Sequence, residues 1–277
     1  MLGIVWALAL GYGFGLWLHH RHAQQLMQGA DPHDANAVRA TSYFSGAIGG
    51  ASEMTLLAER AGARTDLVAA AHSLRLLLVV ILLPFGMQWF QAHWGLHVNT
   101  ALLPGPRVAQ WPGLLWLALA TGAGGLVMRW LKRTNPWFMG AMLVAMGLTL
   151  SGQQWSDVPK ELSNAAQLVI GISLGVRFQK EFIRTAPQWM WSVLLGSLGM
   201  MLAAAGLGWV LAEVTGLHPA TMILGTAPGG IAEMAITAKV LELGVPVVTA
   251  FQVCRLVAVL MLVSPLYHRW VVRRPPS

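Results

Sequence analysis

The chain has 277 residues, 56% of them hydrophobic and only 10% charged, with a formal net charge of +7 at pH 7. Soluble domains carry roughly a quarter charged residues, so the composition excludes an ordinary soluble enzyme and indicates a membrane protein. The positive charge does not indicate nucleic acid: Lys and Arg stand at the ends of apolar runs, where they meet lipid headgroups and set topology.

In chain order, apolar runs at 2–18, 67–90, 111–131, 187–211 and 247–263 approach or exceed the roughly 20 helical residues that cross a bilayer core. Shorter runs at 135–152 and 162–178 are interrupted by glycine or small polar residues. The expectation is seven crossings, to within one or two. Such runs lack the period-two alternation of a transmembrane barrel, so each crossing should be α-helical and the fold class is an all-α, polytopic transmembrane helical bundle. The opening MLGIVWALALGYGFGLWLHHRH has no basic region before its apolar core and no small-residue cleavage site after it, and is expected to remain as a helix. Trp17, Trp89, Trp94, Trp111, Trp130, Trp137, Trp189 and Trp270 fall near run ends, as an interfacial belt requires. Cys254 is the single cysteine and forms no intrachain disulfide.

The chain repeats itself. AIGGASEM at Ala47–Met54 matches APGGIAEM at Ala227–Met234 at a constant offset of 180. At the same offset Ala40 and Thr41 pair with Ala220 and Thr221, Ala58 with Ala238, Val68 with Val248, and Arg75 and Leu76 with Arg255 and Leu256. A duplication of this kind is settled before any other fold argument. The expected organisation is one membrane domain over 1–277, with a shortened first repeat at 1–90 and a fuller second repeat at 111–270. Either the first repeat is naturally short or the chain starts late.

The stretches GGASEMTLLAERAGARTDLVAAAHSLRLLLVV and APGGIAEMAITAKVLELGVPVVTAFQVCRL resemble the two repeats of the AbrB duplication family of bacterial membrane proteins. PWFMGAMLVAM and QLVIGISLGVRF resemble the segment that opens each repeat there. The resemblance implies a multi-pass protein of the bacterial inner membrane. Family members are labelled regulators of gene expression or, in older usage, ammonia monooxygenases, and neither label carries a mechanism.

The positive-inside rule separates two topologies. If both Gly-Gly-x-x-Glu-Met segments cross the bilayer, loop Lys and Arg divide almost evenly between the faces. If both dip in and return, only Arg107, Lys160 and Lys239 fall on the minority side, which favours the re-entrant form. The first motif then connects on the cytoplasmic side and the second on the opposite side, making the repeats inverted. Inverted repeats with broken segments at matching positions point to a midplane site in secondary transporters.

The motif's chemistry follows from its residues. Pro228 ends a regular run, and Gly49 with Gly50, like Gly229 with Gly230, allows backbone conformations and close approaches that side chains forbid. Broken helices at membrane depth are tolerated where they are buried in protein or line a polar cavity. Glu53 and Glu233 then need a partner or a proton, and Arg75 and Arg255 are the expected partners. Gly49, Gly50, Glu53, Arg75, Pro228, Gly229, Gly230, Glu233 and Arg255 form the candidate substrate-binding set, with a sharper break expected at Pro228 than at Ile48. The bland alternative is that two Glu-Arg pairs merely pin the broken segments.

No catalytic residue, cofactor or metal site is expected. His19, His20 and His22 read as an interfacial cluster, and His93 with His97 lacks a Glu or Cys to complete a zinc set. His72 is replaced by Gln252 in the second copy, so it could titrate in one half only, or serve as a polar packing contact. Gly122, Gly124, Gly125, Gly171 and Gly175 read as helix-packing positions. The leading expectation is a transporter-like protein that binds or translocates a small solute or ion, with the lipid bilayer as its surroundings and room for a homo-oligomer. A membrane regulator of gene expression is the alternative. A monooxygenase would need a dense His and carboxylate cluster that the sequence lacks.

Overall fold

The computed structural model describes residues 2–27, 35–94, 109–131, 136–153, 155–176 and 187–272. Among the described residues every regular element is helical: α1 (Leu2–Met27), α2 (Ala35–Gly46), α3 (Ala51–Arg60), α4 (Thr65–Trp94), α5 (Trp111–Trp130), α6 (Pro136–Leu150), α7 (Lys160–Val176), α8 (Pro187–Thr215), α9 (Pro219–Thr226), α10 (Ile231–Val240) and α11 (Val245–Leu266). A π-helical turn, Tyr267–Val272, follows α11. Among the described residues five stretches are long and apolar enough to cross a membrane, namely Leu2–Ala23, Thr65–Trp89, Trp111–Trp130, Pro187–Thr215 and Val245–Arg269. They coincide with the five long apolar runs. Among the described residues the two shorter runs form α6 and α7, of 15 and 17 residues.

The chain divides into two compact units, 104–175 and the remainder. In the smaller unit α5 packs on α6 because both helices are bare where they meet. A Cβ on Gly140 would coincide with the backbone of Gly124 and Gly125, and the Trp137 ring covers Gly125. Gly122 faces open space and takes no part in this packing. Gly171 and Gly175 lie in α7, and their surroundings are outside the described residues.

The larger unit holds both copies of the motif. In each copy a long helix is preceded by a pair of short ones: α2, a break at 47–50 and α3 ahead of α4; α9, a break at 227–230 and α10 ahead of α11. Hydrogen bonds fix the course of the chain. The Arg64 N–H donates to Thr41 Oγ1, His72 bonds the Phe44 carbonyl and Arg75 donates to the Ala47 carbonyl. Positions ascending α2 therefore match positions ascending α4, so these helices run the same way, and α3 must return from the break to the level where α4 begins. The second copy repeats this with Gly244 on Thr221, Gln252 on Leu224 and Arg255 on Ala227.

The return turns are also alike. The Gly62 N–H bonds the Glu59 carbonyl and the Ala63 N–H bonds Ala58, while Glu242 bonds Lys239 and Leu243 bonds Ala238. Both are the paired bonds that close a helix on a left-handed residue, Gly62 at φ 69° and Glu242 at φ 54°.

Packing between the copies is reciprocal. Val79, Leu83 and Met87 of α4 join a core with Ala220, Leu224, Met234, Ala238 and Val248 of the second copy. Val259, Val263 and Tyr267, each 180 positions further on, join a core with Ala40, Phe44, Met54, Ala58 and Val68 of the first. The two cores thus draw on the same positions 180 residues apart, with the roles of the copies exchanged. Each long helix closes the hairpin of the other copy. Outside this centre, α1 approaches α2 closely enough that a Cβ on Gly46 would lie 2.5 Å from the Gly11 carbonyl oxygen and from the Gly15 nitrogen.

Candidate functional site

The nine residues singled out in the sequence gather at the two breaks and the long helices beside them. Pro228 explains how the second break begins: the residue before a proline is driven out of the α region, and Ala227 sits at φ −57°, ψ 141°. The first break has Ile48 in that place, yet α2 ends at Gly46 and α9 at Thr226, the same register. The expected sharper break at Pro228 is not found in the helix limits. What the two copies share is an arginine that draws the first break's Ala47 carbonyl, and its counterpart at Ala227, out of the helical pattern.

Those arginines do not pair with the glutamates. Arg75 Nη2 donates to the Ala47 carbonyl at 3.0 Å and to His72 Nδ1 at 2.6 Å. Arg255 donates to the Ala227 carbonyl, to the Gly229 carbonyl at 2.6 Å and to Gln252 Oε1 at 2.6 Å. Both side chains are buried, at 4% and 8% exposure. Among the described residues the ion pair is Arg64 with Asp66, at the surface. The expectation of Glu53–Arg75 and Glu233–Arg255 pairs is therefore corrected. At a helix break the last carbonyls of the first half-helix have no intrahelical donor and carry the negative end of its dipole, so a buried guanidinium finds hydrogen-bond acceptors there, though no counter-charge.

The glutamates have a parallel explanation. Gly50 is the N-cap of α3 and Gly230 that of α10, which makes Glu53 and Glu233 the third helical residues. A Cβ on Gly50 would coincide with Glu53 Oε2, and a Cβ on Gly230 with Glu233 Oε2. Each carboxylate has curled back over its own cap, where the third-residue Glu of a capping box lies, and meets the positive end of the short helix. This also explains the second glycine of each motif, since any side chain would evict the carboxylate. The first glycine serves another neighbour: a Cβ on Gly49 or Gly229 would press on the fully buried Met54 or Met234.

His72 and Gln252 perform one task. Arginine only donates and a carbonyl only accepts, so His72 must accept at Nδ1 from Arg75 and donate from Nε2 to Phe44. Gln252 accepts at Oε1 from Arg255 and donates from Nε2 to Leu224 at 2.8 Å, with longer contacts to Gly225 and Ala227. The ring is a neutral relay with a fixed tautomer, and the polar packing contact is the reading that fits. Pairing His with Gln by hydrogen-bonding capacity, rather than by titration, would have disclosed this from sequence.

The remaining histidines stand apart. His22 is buried, bonds Ser192 at 2.8 Å and meets the Trp189 ring edge-on. Trp189 is itself 3% exposed, so it belongs to the core rather than to an interfacial belt, whereas Trp89, Trp111 and Trp130 face outward. His93 bonds the Trp89 carbonyl and stacks on its ring, and His97 lies outside the described residues. A cavity of about 230 Å³, missed in the sequence, opens beside Arg255 between the start of α1, the end of α9 and α11.

The fold and the paired breaks define a class: a helical membrane protein built by duplication around two helix-break hairpins. Within that class the chain belongs to the AbrB family, whose profile, described as "Transition state regulatory protein AbrB", matches residues 1–271. Among curated proteins it is 29% identical over 246 residues to "Uncharacterized protein YhjN" of Bacillus subtilis (strain 168), covering 82% of this chain and 62% of that one. It is 27% identical over 241 residues to "Putative regulator AbrB" of Escherichia coli (strain K12), covering 86% of this chain and 67% of the relative. The chain thus spans about three fifths to two thirds of these relatives. No solved structure matches it.

Proposed function

We propose that this protein is a transporter-like module of the bacterial inner membrane that binds or translocates a small solute or ion at a midplane site between its two repeats. The observation that carries this reading is the depth and reciprocity of the breaks. Arg75 and Arg255 each lie ten residues into a long helix, about 15 Å along it, or half of a hydrocarbon core of about 30 Å. The tips contact the same part of α4: Val79 would lie 2.8 Å from a Cβ on Gly229, one turn beyond Arg75. Leu83 and Met87 then continue along the second hairpin. A continuous α4 that begins beside the first hairpin and goes on along the second supports hairpins entering from opposite faces, the arrangement through which inverted-repeat transporters alternate access to a central site. Catalysis has no support from the site, and the relatives' printed names assign no reaction.

Single cysteines placed at Gly62–Arg64 and at Leu243–Val245 in a Cys254→Ala background should label from opposite faces of the membrane; labelling from the same face overturns the inverted arrangement. In liposomes, Glu53→Gln with Glu233→Gln keeps shape while removing both charges, so folded protein is expected whose uptake no longer responds to pH. Unchanged pH response would reduce the glutamates to helix caps. The name of the Escherichia coli relative favours a second reading, a membrane regulator. Such a protein would bind a ligand in vesicles without net uptake.

A further inference from the structure

The cavity beside Arg255 has a marked chemistry. Its wall includes Ile4, Ala250, Phe251 and Cys254, with Thr226 as a neutral polar group and Arg255 as the one charged residue. Arg255 is buried, and among the described residues no carboxylate lies within pairing distance of it. Arg75, at the matching position of the first copy, is a second buried guanidinium. Backbone dipoles satisfy part of each guanidinium but carry no net charge, so the pair remains short of a counter-ion in a medium where an uncompensated charge is costly. The equivalent place in the first copy is closed: Ser45, Ala70 and Ala71 are buried at 1–2% exposure, and Gly46 is sealed by Gly11 and Gly15. The opening is thus particular to the second copy, not a by-product of the repeated frame.

We infer that this cavity binds a small organic monoanion, a carboxylate on an apolar body. The cavity holds about 230 Å³ and its wall is mainly apolar, which suits a small apolar body. The carboxylate supplies the charge that Arg255 lacks, and the apolar body lies against Ile4 and Phe251. The inference rests on the reading that Arg255 belongs to the binding site, and it names the class of ligand taken there.

Cys254 provides the assay, because it is exposed in the cavity wall and is the only thiol of the chain. With the full chain purified in detergent, benzoate and hexanoate should slow its alkylation by N-ethylmaleimide saturably, about tenfold at ten times the Kd, and should raise the melting temperature. Benzyl alcohol and hexanol, with the same bodies and no charge, should protect far less, and inorganic phosphate not at all. Arg255→Lys should retain weakened protection and Arg255→Gln should lose it. Since Arg255→Gln can fail to fold, Ala250→Trp provides a second route: it fills the cavity while retaining the arginine and should abolish the melting shift. Equal protection by the alcohols, absence of both effects with either carboxylate, or protection by phosphatidylglycerol micelles alone would overturn the inference. Benzoate binding without uptake would leave it standing while removing transport. Uptake of another solute without carboxylate protection would remove this inference alone.

Discussion

The two hairpins share a frame and differ in how it is closed. Thr41 and Thr221 hold the same turn, His72 and Gln252 relay the same bond, and Arg75 and Arg255 grip the same carbonyl. Around the first, α1 presses glycine on glycine and the core is filled; around the second, Ala250 and Cys254 are exposed and a cavity reaches the arginine. The comparison teaches that the duplicated part is the device that stabilises a helix break, while the part left free to diverge is the packing around it. A binding site arises where the frame is retained and the closure relaxed.

The sharpest way to break this comparison is to remove the arginines in turn. Arg75→Met leaves the Ala47 carbonyl and His72 Nδ1 without a donor in a closed core, so a loss of about 2–4 kcal/mol is expected in denaturant titrations in detergent. Arg255→Met strands more acceptors but beside a cavity where water can replace the guanidinium, and should lose less. An equal or larger loss at Arg255 would mean that the cavity does not relieve its site.

The relay sharpens the comparison at lower magnitude. His72→Gln imports the second copy's solution and should change stability by less than about 1 kcal/mol, whereas His72→Leu removes both roles and should cost about 1–3 kcal/mol. If Gln proves as harmful as Leu, the two residues are not equivalent. The smallest effect is expected at the turns. Glu242→Gly relieves a left-handed non-glycine residue and should raise stability by up to about 1 kcal/mol, and Gly62→Glu should lower it by a similar amount.

The duplication, the helix breaks and the five spans were legible in the sequence because each is written in residue identity at fixed spacing: Gly-Gly pairs, an arginine downstream, apolar runs of membrane length. The pairing of charges was not. Reasoning from charge alone matches Glu53 to Arg75, yet a break exposes backbone carbonyls on one side and backbone N–H groups on the other, and the arginine meets the first while the glutamate meets the second. The burial of Trp189 was equally hidden, since a tryptophan near a run end has no local mark to distinguish a belt residue from one roofed by His22. The cavity at Arg255 depends on how α1 and α11 pack, which no local pattern records.

The exchange of long helices between the halves also constrains synthesis. Val68 and Met54 are covered only once Val259 and Val263 arrive, some 190 residues later in the chain. At roughly 5–20 residues per second, that leaves the first hairpin waiting on the order of ten to forty seconds in the ribosome-bound chain. Throughout that interval a buried arginine and a broken helix lack their final cover. The glutamate folded over its own glycine and the arginine fastened to the Ala47 carbonyl make these contacts within about thirty residues, so the half-built protein already holds its break in place while the rest is made.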